Sequence, residues 1–244
     1  MELKESNLRV LNRDVIKYIA MLVMFLNHFS HMFLENGTVL HEICEDVGYF
    51  TAITMCYFLV EGYEYTRSKK KYAIRLLLFA IISQIPFMIA FQYFALNMLF
   101  TLFFCFLILV AMEQIQDKAL QTVVVILLVF VTAYCNWPLL AAIFTILFAN
   151  FKDSRKKMMI SYAVAFVLFV AFNSTNYLYV PGYSTAEAVL HGVLSAIPLL
   201  ISGFVILFLY NGKRAERGKN FSKWFFYLFY PAHLTVLVLI KHFM

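Results

Sequence analysis

The chain has little charge. Only 14% of its 244 residues are Asp, Glu, Lys or Arg, whereas 63% are hydrophobic and the mean hydropathy is +0.78. A soluble domain is nearer one quarter charged and one half apolar, so this composition excludes a soluble globular protein. The connections between apolar runs are short, and we therefore expect a single membrane-embedded domain over residues 1–244.

Several motifs that carry chemistry are also missing. The four cysteines are scattered without CxxC spacing, which indicates neither a disulfide framework nor a metal site. There is no nucleophilic serine elbow, phosphate-binding loop, HExxH sequence or carboxylate cluster, so hydrolase, ATPase and zinc-protease functions lack support. The net charge of +6 is explained by membrane topology, and no nucleic-acid partner is expected.

Long apolar runs dominate the sequence and predict an all-α, polytopic bundle of about nine transmembrane helices. A span needs roughly 20 residues, with 17–25 usual, so the short sixth run is the least secure. The runs cover residues 15–34, 48–65, 72–91, 95–112, 119–135, 138–151, 158–173, 188–210 and 224–242.

The basic residues predict the orientation. Lys and Arg fall on every second connection, and of the 20 only Lys241 falls on the other side. By the positive-inside rule the N-terminus is cytoplasmic and the C-terminus is outside, in a multi-pass protein of the cell membrane. The basic groups are Lys4 to Lys17, Arg67 to Arg75, Lys118, Lys152 to Lys157, and Lys213 to Lys223.

The first apolar run carries polar groups that are costly in hydrocarbon, which makes them functional candidates. At about 100° per residue, Lys17 and His28 are about three turns apart on one helix face, separated by about 16 Å along the axis. Met21, Met24 and His31 share this face, and Asn27 precedes His28. One face of one helix therefore joins a cation at the membrane edge to two imidazoles deeper in the membrane.

His28 is the first catalytic candidate, because histidine is the usual general base near neutral pH. The alternative is a structural histidine bonded to a neighbouring helix carbonyl. Lys17 on the same face favours the catalytic interpretation. His31 is either a supporting partner or an interfacial residue, and the interfacial role is favoured.

A second group of charges joins the second and third runs. Glu61 and Glu64 end the second run, and cations including Lys71 follow them. Lysines here are explained by topology and could also bind anionic lipid. Arg75 lies inside the third run, where a buried guanidinium requires a bidentate partner. A phosphate-bearing cofactor such as coenzyme A would supply one, and so would Glu61 or Glu64.

Two further polar groups adjoin prolines within apolar runs. Gln84 lies beside Pro86 in the third run, where it could hydrogen-bond across the bundle. Tyr230 and His233 flank Pro231 in the last run. Packing is favoured for Gln84, whereas Tyr230 and His233 could equally line a cavity or mark a structural kink.

Three stretches of the chain stand out together: IKYIAMLVMFLNH, FLVEGYEYTRSKKKYAIRLLLFAIISQIPF and KWFFYLFYPAHL. In combination they resemble the TraX family of membrane proteins, which is associated with N-terminal acetylation of conjugative pilin. The resemblance covers about residues 12 to 242. TraX proteins are distantly similar to acyltransferase family 3, whose members modify cell-surface glycans. The resemblance implies a bacterial cytoplasmic-membrane location.

The resemblance also implies roles for individual residues. In the acyltransferase superfamily an arginine is followed, after ten residues, by the catalytic histidine, and Lys17 and His28 fill these positions. The basic motif near the third helix would fall on Lys71 and Arg75, which would then bind acyl-coenzyme A. TraX proteins often have Asp before the histidine, where this chain has Asn27.

We therefore expect an acyltransferase that moves acetyl from acetyl-coenzyme A, or another acyl group from its acyl-coenzyme A, to an amine or hydroxyl. The acceptor would be a membrane or surface protein, such as a pilin N-terminus, or a glycan. The alternative is a transporter or lipid-binding module, although no internal repeat of the kind common in transporters stands out. A third interpretation is an assembly factor with degenerate chemistry.

Overall fold

The computed structural model describes residues 9–180 and 182–244, so Lys4 of the basic N-terminus lies outside the described residues. Over these ranges the chain is all-helical, as predicted. The nine α-helices are α1 (Arg13–Phe33), α2 (Val39–Tyr65), α3 (Lys69–Phe91), α4 (Met98–Gln114), α5 (Lys118–Val131), α6 (Leu140–Phe151), α7 (Arg155–Leu178), α8 (Thr185–Phe204) and α9 (Lys219–Phe243). A 3₁₀ turn, Thr132–Tyr134, extends α5, and a π-helical turn, Val205–Leu209, extends α8.

Six of these helices are long and apolar enough to cross a bilayer, namely α1, α2, α3, α7, α8 with its π-helical turn, and α9. The other three are apolar but shorter. The 12 residues of α6 rise only about 18 Å, less than the hydrocarbon thickness of about 30 Å. The all-α fold is thus confirmed, and the six long apolar helices are consistent with the predicted membrane bundle. The crossing of all nine helices stays a prediction.

Two helices are longer than the apolar runs that predict them. α2 begins at Val39, not near residue 48, and α7 continues to Leu178. The Thr38 side chain accepts a hydrogen bond from the His41 amide and so caps the start of α2. Hydropathy identifies only the part of a helix that suits hydrocarbon. A capped helix continues through polar residues as long as its backbone hydrogen bonds are satisfied.

The basic connections converge at one end of the bundle, which we call the basic end. There Glu64 at the end of α2 pairs with Lys152, which directly follows α6. Glu113 at the end of α4 pairs with Lys69 at the start of α3. Backbone hydrogen bonds also join Leu11 to Leu209 and Asn211, next to the start of α1. The helices therefore alternate in direction, as the charge pattern predicts. That the basic end faces the cytoplasm stays a prediction.

α1 lies against α2 and α9, and its contacts place the predicted face toward the interior. A Cβ atom added to Gly48 of α2 would lie 2.5 Å from the Asn27 Cβ, so only glycine permits this close approach. The Thr51 hydroxyl donates to the Ala20 carbonyl at 2.6 Å, which fixes the same pair of helices further along. These two contacts hold α1 against α2 along the wall of the cavity that both helices line.

Candidate functional site

A cavity of about 1370 Å³ runs through the bundle beside α1. The residues of the predicted face all line it, from Lys17 near the basic end through Met21 and Met24 to His28 and His31. One helix face is therefore the wall of one cavity, as the 100° spacing predicts. The other end of the cavity, which we call the opposite end, includes Trp137 and Asn176.

His28 is buried in the wall of this cavity and is paired with a second histidine. The His28 Nδ1 lies 2.7 Å from the Nε2 of His233 in α9, and the two rings are nearly parallel, with planes 11° and centroids 4.9 Å apart. His233 does not itself line the cavity. The sequence allowed His233 either to line a cavity or to mark a kink. The structure instead places it behind His28, on the side away from the cavity.

The hydrogen bonds of the pair define which nitrogen atoms carry protons. The Nδ1 of His233 lies 2.7 Å from the Phe229 carbonyl, which can only accept, so this nitrogen donates. In a neutral His233 the Nε2 is then the acceptor, and the His28 Nδ1 must donate to it. The lone pair of a neutral His28 is therefore on Nε2, as a general base requires.

Asn27 and His31 lie on either side of His28 but do not hold its ring. The Asn27 amide nitrogen donates to the Glu45 carbonyl at 2.9 Å and so joins α1 to α2. His31 is exposed at the opposite end, with its ring edge-on to those of His41 and Phe91. The group that orients His28 therefore comes from α9, and residue 27 serves the packing of α1.

Lys17 lies on the cavity wall between aromatic rings. Its Nζ is 5.5 Å from the centroid of the Phe58 ring and 5.2 Å from that of Phe226. Within the described part of the chain no carboxylate forms a salt bridge with it. α1 is uninterrupted between Lys17 and His28, so the separation of about 16 Å along the axis holds.

Arg75 also lines the cavity, and the ion pair with Glu61 or Glu64 that the sequence allowed is not formed. Glu61 binds Arg13 at 2.9 Å and accepts the Tyr210 hydroxyl at 2.9 Å, while Glu64 pairs with Lys152. Because both carboxylates already have partners, the guanidinium of Arg75 packs between other groups. Its Cζ lies 5.6 Å from the Tyr72 centroid and 5.9 Å from that of Tyr227.

The Nε of Arg75 is buried and has no hydrogen-bond partner among the described residues. A guanidinium pairs best with a planar or tetrahedral oxyanion that takes two of its N–H groups at once. Lys71 lines the same part of the cavity, one turn earlier on α3. The basic end of the cavity therefore suits a phosphate-bearing ligand.

Sequence reasoning missed several residues at this end. Four more cations line the cavity at its basic end, where the positive-inside rule already explains basic residues: Arg13, Arg67, Arg214 and Lys223. The aromatic pair around Arg75 was missed too. Tyr72 lies three residues before Arg75 on one helix face, a spacing that the sequence contains, whereas Tyr227 comes from distant α9.

The opposite end of the cavity is aromatic and carries a carboxylate. Glu45 lines it and accepts the Tyr49 hydroxyl at 3.1 Å. Trp137 lies edge-on to Tyr49 and is stacked on Phe169. Trp137 has a φ of 65°, in the left-handed region that an indole-bearing residue rarely adopts, and such strain is common at ligand sites.

Of the remaining predicted residues, Gln84 lies away from the cavity and Tyr230 lies in its wall. The Gln84 side chain donates to the Ala95 carbonyl at 2.7 Å and accepts from the Asn97 amide at 3.1 Å, so it stabilises the connection from α3 to α4. The Tyr230 ring lies edge-on to His28, with centroids 6.0 Å apart. Glu64 does not line this cavity.

Fold and site together define a helical membrane protein with a buried imidazole pair between a basic and an aromatic cavity end. The chain belongs to the TraX family: it matches the family described as TraX protein over residues 12–241. It is 32% identical over 243 residues to the probable fimbrial assembly protein FimC, serogroup H1, of Dichelobacter nodosus, covering 94% of this chain and 95% of the relative. No solved structure matches the chain.

Proposed function

We propose that this protein is a membrane acyltransferase that moves an acyl group, acetyl in the first instance, from acyl-coenzyme A to an amine or hydroxyl of a surface acceptor. The observation that carries the proposal is the arrangement at His28. Its Nε2 is available as a base and its Nδ1 is held by His233. Its ring lines the same cavity as the cations of the basic end. TraX membership and a fimbrial assembly relative support a protein acceptor of the pilin type.

The basic end suits the phosphates of acyl-coenzyme A as substrate. Arg75 has a buried Nε without a partner, and Lys71 and Lys17 line the same cavity without a carboxylate partner among the described residues. These three cations would bind the phosphates. The axial separation of about 16 Å from Lys17 to His28 is compatible with an extended pantetheine arm.

Acyl transfer at this site requires one base, His28, which takes a proton from the acceptor and later returns it to the leaving group. The Nε2 of His28 takes the proton from the acceptor N–H or O–H as that atom attacks the thioester carbonyl. The bond from the acyl carbon to nitrogen or oxygen forms, the carbon–sulfur bond breaks, and His28 gives its proton to the leaving thiolate. While His28 carries both protons, its Nδ1–H is bound to the neutral Nε2 of His233, which orients the ring and stabilises the imidazolium.

The proposed direction of transfer follows from the two cavity ends. Acyl-coenzyme A would enter at the basic end, which the charge pattern assigns to the cytoplasm. The acceptor would enter at the opposite end, beside Glu45, Tyr49 and Trp137. His28 lies between them, so both substrates could reach it without either crossing the membrane.

Mass spectrometry of surface proteins and glycans from cells with and without this gene tests the function directly. We expect at least one protein or glycan to carry an acetyl group only when the gene is present, and purified protein in vesicles to transfer label from acetyl-coenzyme A to that acceptor. Unchanged acylation, together with no saturable acyl-coenzyme A binding by calorimetry, would contradict the proposal and favour a transporter or lipid-binding module.

The hydrogen bond between His28 and His233 predicts that His233 affects catalysis by orienting the His28 ring. In His233→Phe the acceptor for the His28 Nδ1–H is lost, and we expect kcat to fall about 10- to 100-fold, part of the 10²–10⁴ that a positioned base supplies. KM for acyl-coenzyme A should stay within about twofold, because His233 does not line the cavity.

His233→Gln is the matched variant, since a side-chain amide oxygen can accept from the His28 Nδ1–H. It should recover most of the activity lost in His233→Phe. Equal activity in both variants would mean that the hydrogen bond of 2.7 Å has no catalytic role.

A further inference from the structure

One buried hydroxyl of a cavity-lining residue takes no part in the proton transfer by His28. Tyr230 is 3% exposed, lines the cavity and lies three residues before His233 on α9. Its hydroxyl has no hydrogen-bond partner of ordinary geometry among the described residues. A buried hydroxyl without a partner is costly, so its retention beside His28 requires a reason.

The surroundings of this hydroxyl leave its proton free. The Met98 backbone lies beside it. A backbone N–H can only donate to the tyrosine oxygen, so the O–H proton would still have no acceptor. Tyr230 therefore lies in the cavity wall beside the His28 ring with a hydroxyl proton that no described residue accepts.

We infer that Tyr230 is a catalytic residue that donates its O–H to the carbonyl oxygen of the acyl group as negative charge develops there. The inference rests on the proposed function. Attack on a thioester carbonyl places a full negative charge on that oxygen, and His28 cannot stabilise it because His28 is occupied with the acceptor proton. A preorganised donor in a buried site is the usual means of stabilising such an oxyanion.

The positions of His28 and Tyr230 suit a base and a hydrogen-bond donor that act on the same acyl group. Base and donor are adjacent, with ring centroids 6.0 Å apart and planes at 75°, so one carbonyl group could lie next to both. Tyr230 and His233 share a helix, and their rings are 5.7 Å apart. The last helix would thus supply both the group that orients the base and the group that binds the oxyanion.

Tyr230→Phe tests the inference because it removes only the hydroxyl. We expect kcat to fall about 100-fold, which is the scale of losing one oxyanion donor. KM for acyl-coenzyme A and the affinity for coenzyme A itself should stay within about twofold. The melting temperature should not fall, because no described residue accepts a hydrogen bond from the lost hydroxyl.

Tyr162→Phe is the matched control. Tyr162 is also 3% exposed, and its hydroxyl also has no hydrogen-bond partner of ordinary geometry among the described residues. It does not line the cavity, so the kcat of Tyr162→Phe should be unchanged. If the wild type is active and Tyr230→Phe keeps its kcat, the role of Tyr230 is overturned while the proposed function stands. If the wild type transfers no acyl group to any surface acceptor, both are overturned.

Discussion

Replacing His28 by alanine is expected to reduce acyl transfer by at least about 10³-fold, which is within the range that a positioned general base supplies. The variant removes the ring whose Nε2 would take the acceptor proton, and nothing else lining the cavity beside it can replace that base in the same position. Initial rates of acetyl transfer in reconstituted vesicles, with saturating acetyl-coenzyme A, measure the loss.

The alanine variant also leaves the Nε2 of His233 buried without a donor, which costs about 1–3 kcal/mol of stability. His28→Gln avoids this problem, because its amide N–H can still donate to His233 while the side chain cannot act as a base. It should be as inactive as the alanine variant and melt close to the wild type. His31→Ala, one turn further on the same face, should lose less than about tenfold. Wild-type rates in His28→Gln would exclude His28 as the base.

Arg75→Ala is expected to weaken acyl-coenzyme A binding about 10- to 100-fold, which corresponds to losing one charge-assisted hydrogen bond of about 1.5–3 kcal/mol. The reason is the buried Nε of Arg75, which has no hydrogen-bond partner among the described residues, whereas Glu61 and Glu64 are bound to other cations. We therefore expect the ligand to supply its acceptor. Calorimetric titration of the purified protein with acetyl-coenzyme A measures the change in Kd.

Two variants make this measurement specific. Arg75→Lys keeps the charge but loses the planar fork, and it should recover only part of the affinity. Lys70→Ala removes the same charge from an exposed side chain that does not line the cavity, and it should leave Kd within about twofold. If Lys70→Ala weakens binding as much as Arg75→Ala, the effect is general surface charge and the assignment of Arg75 is wrong.

The fold was largely predictable because hydrophobic runs and the distribution of basic residues report directly on membrane crossing. The nine helices of the described chain follow the nine apolar runs, and the basic connections meet at one end of the bundle. Helix ends were less predictable. Polar segments such as the start of α2 continue a helix through capping, which hydropathy does not record.

Within the site, the sequence by itself determined the face of α1. Helical spacing depends only on local geometry. Once the run is helical, Lys17, His28 and His31 therefore lie on one face, which forms one wall of the cavity. The requirement of Arg75 for a partner also followed from its position inside an apolar run.

Only the tertiary structure decided which groups meet across helices. His28 and His233 are 205 residues apart, and no local pattern predicts that α9 packs beside α1 with these rings in register. The same packing pairs Glu61 with Arg13 and Glu64 with Lys152, so Arg75 has no carboxylate partner among the described residues. Pairing between distant helices depends on the packing of the whole bundle, because each buried polar group binds whichever partner that packing brings within reach.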